Sequence, residues 1–249
     1  MKIRILKKSK DDLNVYMVKN SNISYEELEE LLNTYDKVIM RSLRWGNRGI
    51  YSLPENFGNL EVEGDLDLYS NQLTSLPESF GNLKVAGSLD LFFNQLTSLP
   101  ESFGNLKVGR NLYLGNNNLT SLPESFGNLK VGGSLYLHRN KLTSLPESFG
   151  NLEVGRGLYL DENKLISLPE SFGNLKVGGS LYLDGNKLTS LPESFGNLKA
   201  GEGLWLQKNP WIIDTDFANF YEKYKEELVL DKKTEEEINR FIKLEEWEE

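Results

Sequence analysis

Leu99-Pro-Glu-Ser-Phe-Gly-Asn-Leu106 decides the fold, because the same eight residues return along the chain at a constant interval. They begin at Leu53 (with Asn56 in the serine's place), Leu76, Leu99, Leu122, Leu145, Leu168 and Leu191, always 23 residues apart. A fixed period of this size marks a solenoid, in which no single unit buries its apolar face alone and stacking of neighbours supplies the core. Leucine before proline is pushed toward extended geometry. Pro-Glu-Ser-Phe-Gly then predicts a tight return turn rather than a long helix, with its glycine taking up a left-handed conformation. The phenylalanines of the phrase, Phe57 through Phe195, fall at one point of every turn and predict a stacked aromatic spine inside the coil.

Between the phrases, the chain reads Leu-x-Leu-x-x-Asn-x-Leu-x-x-Leu-Pro from Leu66, and the frame returns at Leu89, Leu112, Leu135, Leu158 and Leu181, with a shortened copy at Leu204. Alternating leucines predict a short strand with one buried face. Each strand meets a turn at an asparagine, from Asn71 through Asn209. An asparagine side chain carries both donor and acceptor groups, so a column of them can satisfy buried backbone groups of adjoining turns.

These columns resemble the leucine-rich repeat family over residues 43–209, about two thirds of the chain. The resemblance implies an α/β fold: a right-handed, arc-shaped solenoid with a concave parallel sheet of about eight strands and a convex side of turns and short 3-10 segments. The pattern departs from the family's at one place. Where a further leucine is expected, three residues before the first strand leucine, the chain has Glu63, Ala86, Gly109, Gly132, Gly155, Gly178 and Gly201. The valine one position earlier, Val62 through Val177 and Ala200 in the last copy, takes over its burial. Near-identical repeats of this kind are common in bacterial, phage and other microbial members.

A solenoid exposes its core at both ends and needs caps, so three regions are expected: an N-terminal α/β cap over residues 1–42, the solenoid over 43–210, and a helical C-terminal cap with an acidic tail over 211–249. Ser24-Tyr-Glu-Glu27 is a capping box, with Ile23 and Leu28 as its hydrophobic staple. It predicts a helix over residues 25–35. Ile3, Ile5, Val15 and Met17 suggest two short strands ahead of it, and Ile39, Leu43, Trp45, Ile50 and Leu53 a degenerate first coil with Arg48 in the asparagine's place. After Pro210, Phe217, Phe220, Tyr221, Tyr224 and Leu228 keep helical spacing. A second helix is expected near Thr234 with Ile238, Phe241 and Ile242.

Composition narrows the function classes. A net charge of -9 argues against nonspecific binding to nucleic acid or an anionic membrane. There is no cysteine, hence neither a disulfide-bonded cap nor a thiol nucleophile. His138 is the sole histidine; the other repeats carry different residues in its column, so an ordinary surface histidine is expected rather than a member of a Ser-His-Asp arrangement. No Cys/His metal cluster is available, and the glycines form no phosphate-binding fingerprint. No enzyme, cofactor or metal is expected. The first residues lack the apolar run of a signal peptide, so the expected location is cytoplasmic, or exported without a cleaved signal.

Function is expected where the repeats vary. Residues between the strand leucines point away from the core, and their column reads Asp67, Asp90, Tyr113, Tyr136, Tyr159, Tyr182, Trp205. At about 4.8 Å between strands, the five aromatics form a ladder. The column two residues on reads Tyr69, Phe92, Gly115, His138, Asp161, Asp184, Gln207, and its neighbour Ser70, Phe93, Asn116, Arg139, Glu162, Gly185, Lys208. The candidate partner-binding residues are the first column together with Tyr69, Phe92, His138, Asp161 and Asp184. One expectation is that the tyrosines merely stabilise the sheet through cross-strand pairing. The preferred one is a contact surface for a protein or peptide, because a continuous exposed aromatic patch matches the composition of binding hot spots. A sugar stacked on the rings, or assembly through the terminal helices of an otherwise monomeric chain, are the alternatives.

Overall fold

The computed structural model describes residues 14–18, 23–211, 215–226, 228–229 and 232–245. Each 23-residue unit is one coil with four parts. The third unit shows them: a 3-10 helix Glu101–Asn105, a strand Lys107–Val108, a bend at Gly109 and Arg110, and a second strand Leu112–Tyr113. The chain then turns at Asn117 and returns, extended, to the next Leu-Pro.

Two strands per coil build two parallel sheets of nine strands each. The sheet carrying the leucine pair, expected from the pattern, runs from Leu43–Arg44 to Leu204–Trp205 and is closed by Leu228–Val229. The second sheet, carrying the valines, runs from Val15–Val18 through Lys37–Met40 to Lys199–Ala200. Register equals the repeat: Lys107 pairs with Lys84 on one side and Lys130 on the other, as Leu112 does with Leu89 and Leu135. The valines are almost fully buried. They do take over the burial of the missing leucine, but from a strand of their own across a bend.

Inside, Phe57, Phe80, Phe103, Phe126, Phe149, Phe172 and Phe195 stack at 5.8 to 6.0 Å with nearly parallel rings. The 3-10 helices of the return pack directly on one another on the convex side. The glycine of the phrase is not left-handed as expected. Among described glycines only Gly49 and Gly185 have positive φ. A Cβ on Gly104 would lie 2.0 Å from the Ser125 carbonyl oxygen, so glycine is required there by the approach of the next turn's backbone. The left-handed positions are elsewhere: Ser70, Phe93, Asn116, Arg139, Glu162 and Lys208 have φ of 49° to 55°.

The asparagines act as the sequence implies. Asn117 is 6% exposed; its Oδ1 accepts from Leu96 N–H at 3.0 Å, and its Nδ2 donates to the carbonyls of Leu91 and Leu114 at 3.0 and 3.1 Å. One side chain thus ties its own turn to the preceding coil, and the bonds recur at Asn94, Asn140, Asn163, Asn186 and Asn209.

At the N-terminal end, α1 (Tyr25–Thr34) carries the full capping box, Glu27 N–H to Ser24 Oγ at 3.1 Å and Ser24 N–H to Glu27 Oε2 at 3.3 Å. Tyr25 stacks on Trp45, which stands against Phe57 and so continues the aromatic spine into the cap. The repeat spacing assigned to Ile39 needs correction. Met40, not Ile39, pairs with Val62, while Leu43 pairs with Leu66. The link between strands is one residue shorter here, which turns Val38 and Met40 inward and leaves Ile39 half-buried. The strand expected around Ile3 and Ile5 lies outside the described residues; Val15 and Met17 are on the outermost strand of the valine sheet.

At the other end, α2 (Thr215–Tyr224) sets Phe220 edge-on against Phe195 at 5.4 Å, and Phe217 packs on Trp211. Leu228 does not continue that helix as its spacing suggested: it pairs with Leu204 as the last strand of the leucine sheet. α3 (Lys232–Glu245) follows with Ile238 fully buried. Among the described residues no helix is long and apolar enough to cross a membrane, and no group of acidic or histidine side chains could hold a metal ion.

Candidate functional site

Because leucines at alternate strand positions face the core, the residue between them must face out. All twelve candidate residues lie on this outward face of the leucine sheet or in the turn that follows it, and every one is half-buried. Parallel in-register pairing sets Tyr113, Tyr136, Tyr159, Tyr182 and Trp205 side by side. Their rings stack face to face at 4.6, 4.4, 4.5 and 5.4 Å. Each inner ring therefore has both faces covered by its neighbours and offers its edge outward, and the phenol end of Tyr159 reaches back along the sheet over Gly157. Burial, with the phenols on either side, pushes Tyr159 up to about 12, so this rung stays protonated and keeps a donor. Tyr113 Oη accepts from the Asn111 side chain at 2.8 Å.

A second aromatic group fills the N-terminal half. Tyr69 stacks on Phe92, and Phe93 stands edge-on to both, 5.8 and 4.7 Å away. Phe92 leans over Gly115 to reach His138 at 5.2 Å. Any side chain at position 115 would obstruct it, since a Cβ there would sit 2.4 Å from the Phe92 ring and 3.0 Å from His138. His138 in turn meets Tyr136 and Tyr159 edge-on. The two groups are therefore one continuous aromatic surface. Its most exposed ring is Phe93, 46% exposed and held at φ 54°, a conformation that costs a bulky residue on the order of 1 to 2 kcal/mol.

The charges on this face are acidic and partly desolvated. Asp67 and Asp90 each accept the backbone N–H two residues on, at 3.0 and 2.9 Å, so they shape the start of the turn as well as facing solvent. Burial pushes Asp90 and Asp161 up to about 6, and Asp184 in the same direction. Burial also lowers His138, favouring its neutral form. Arg139 is held by Glu162 at 2.7 Å.

A different feature escaped the pattern. On the valine sheet the outward column from Glu61 onward reads Glu61, Lys84, Lys107, Lys130, Glu153, Lys176, Lys199, with Ile39 paired to Glu61 ahead of them. The cue was in the phrase itself, since lysine follows its final leucine in five of the seven copies. Without knowing that Lys-Val forms its own strand, nothing showed that these lysines stand in register.

The Leucine Rich Repeat family model matches residues 65–83, 88–106, 110–129, 134–152 and 180–198. Among solved structures, the chain is similar to the leucine-rich repeat domain of a Shigella effector, with 23% identity and a TM-score of 0.54 over 83% of this chain and 86% of that one. It is also similar to a leucine-rich repeat protein of Leptospira interrogans (27% identity, TM-score 0.47, 80% of this chain and 61% of that). A third likeness is to YopM, a leucine-rich effector protein from Yersinia pestis (23%, 0.40, 70% and 48%). The chain thus spans less than two thirds of the Leptospira and Yersinia chains. No curated protein matches it.

Proposed function

The chain is a leucine-rich repeat protein, and on that premise we propose that it is a non-enzymatic recognition module, binding a protein or peptide partner across the aromatic face of its leucine sheet. The fold is typically non-catalytic, and no catalytic domain is evident among the described residues. The observation that carries the proposal is the unbroken aromatic surface from Tyr69, Phe92 and Phe93 through His138 to the Tyr113–Trp205 ladder. Rigid rings already stacked lose little freedom on binding, and phenol edges beside half-buried carboxylates can hydrogen-bond a partner's backbone and cationic side chains. A partner with exposed apolar and basic residues fits this face.

Stacking also separates this proposal from carbohydrate binding. A sugar ring packs on an open aromatic face, and the inner rungs of the ladder have none. Capture from the native host tests the proposal. Wild type should retain a partner that the folded Tyr136→Ala/Tyr159→Ala/Tyr182→Ala variant loses, with circular dichroism reporting the fold. Undiminished capture by that variant would contradict it. Recovery of a glycan and no protein would favour the alternative.

A further inference from the structure

The valine sheet presents an opposite chemistry on its outward side. Strand pairing aligns Lys84, Lys107 and Lys130 directly with one another, about 4.8 Å apart. They border a trough of about 970 Å³ whose lining includes Asn105 and the backbone of Gly109, with Glu61 and Glu63 at its N-terminal end. Like charges in register repel. The two outer lysines each have a carboxylate on their far side: Glu61, which also binds Lys37, lies 3.9 Å from Lys84, and Glu153 lies 3.0 Å from Lys130. Lys107 makes no ion pair among the described residues.

The next stretch of the same face shows what such a column accepts. A second trough of about 620 Å³ lies beside Lys130, Glu153 and Lys176, and there Glu153 sits between the two lysines at 3.0 and 3.3 Å. Hydrogen bonds from Lys130 and Lys176 hold its carboxyl below the usual carboxylate range. At Lys107 the corresponding position is occupied by a third cation instead.

We propose that the Lys84–Lys107–Lys130 trough is a second binding site, whose ligand is a short acidic segment of a partner polypeptide, supplying the carboxylates that Glu153 supplies farther along. Three strands span about 10 Å, the length of three or four extended residues. That suits a brief acidic run. A nucleic acid, with a charge about every 1.7 Å of duplex, would overrun the lysines onto Glu61 and Glu63 at one end and Glu153 at the other.

The test uses the full chain and a fluorescein-labelled oligoglutamate peptide, followed by anisotropy at low and physiological salt. Wild type should bind it with an affinity that falls as salt rises. Lys107→Glu should weaken binding about tenfold or more while raising the melting temperature, because it inserts a glutamate between Lys84 and Lys130. Lys107→Gln should weaken binding less, and Tyr136→Ala/Tyr159→Ala should leave it unchanged, separating this site from the aromatic face. No binding by wild type, equal binding by Lys107→Glu, or tighter binding of a single-stranded oligonucleotide than of the peptide would overturn the proposal.

Discussion

The leucine sheet and the valine sheet are made by the same 23 residues, have nine strands each and close over one core, yet their outward faces behave in opposite ways. In-register parallel pairing places each residue beside its own copy in the next coil. On the leucine sheet, from Tyr113 to Trp205, those copies are aromatic, and the ladder is favourable because rings stack. On the valine sheet, from Lys84 to Lys130, they are lysines, and the ladder is unfavourable because like charges meet. Repetition therefore amplifies whatever interaction a side chain has with itself. The Phe57–Phe195 spine and the asparagine column exploit the same amplification inside the coil.

The first way to test this is to cut a ladder that serves both sheets. Phe126→Ala removes a fully buried ring flanked at 6.0 Å on each side. It should cost about 3 to 5 kcal/mol in urea denaturation, and hydrogen exchange should quicken in the adjoining strands of both sheets alike. The outward ladders should then separate the faces. Tyr159→Ala loses two stacked neighbours and should cost about 1 to 3 kcal/mol by the same measurement. Its phenol carries its own marker: ultraviolet titration should find one tyrosine ionising near 12, a signal absent in Tyr159→Phe.

Acid should sharpen the contrast further, since the leucine face holds carboxyls whose folded values lie above their unfolded ones. Burial holds Asp90 and Asp161 at about 6, against an ordinary aspartate value of 3.8. Between about pH 4 and 6 the folded state binds protons that the unfolded state does not, so their contribution to stability grows as pH falls from 7 to 5. His138, lowered by burial, acts in the reverse sense. The comparison must therefore be with Asp90→Asn/Asp161→Asn, whose urea midpoint should gain less than that of wild type on going from pH 7 to pH 5. The smallest effect belongs to the valine face: Lys107→Thr should leave stability unchanged or raise it by a few tenths of a kcal/mol, where truncating an aromatic rung lowers it.

What could be read from the amino acids follows the same division. The leucine, asparagine and phenylalanine columns were legible because each residue has a single physical use at its place in the period, and Ser24 to Glu27 because a capping box is local. The second sheet was not, since Lys-Val is too short to show alternation. The glycine of the phrase was assigned to backbone conformation when the requirement was the Ser125 carbonyl of the next coil. Ile39 and Leu228 misled because periodicity was carried across the solenoid's ends, where one residue fewer between strands shifts the register and a strand edge captures a residue with helical spacing. The outward column was legible as a row of rings. Face-to-face stacking was not, because it depends on side-chain direction, and neither was the reach of Phe92 over Gly115 to His138.

The measurement that bears most directly on the central claim is hydroxyl-radical footprinting of the chain with its captured partner bound. Binding on the aromatic face predicts protection of Phe92, Phe93, His138 and the edges of Tyr136 and Tyr159. Unchanged reactivity of those rings, with protection confined to α2 and α3, would contradict it.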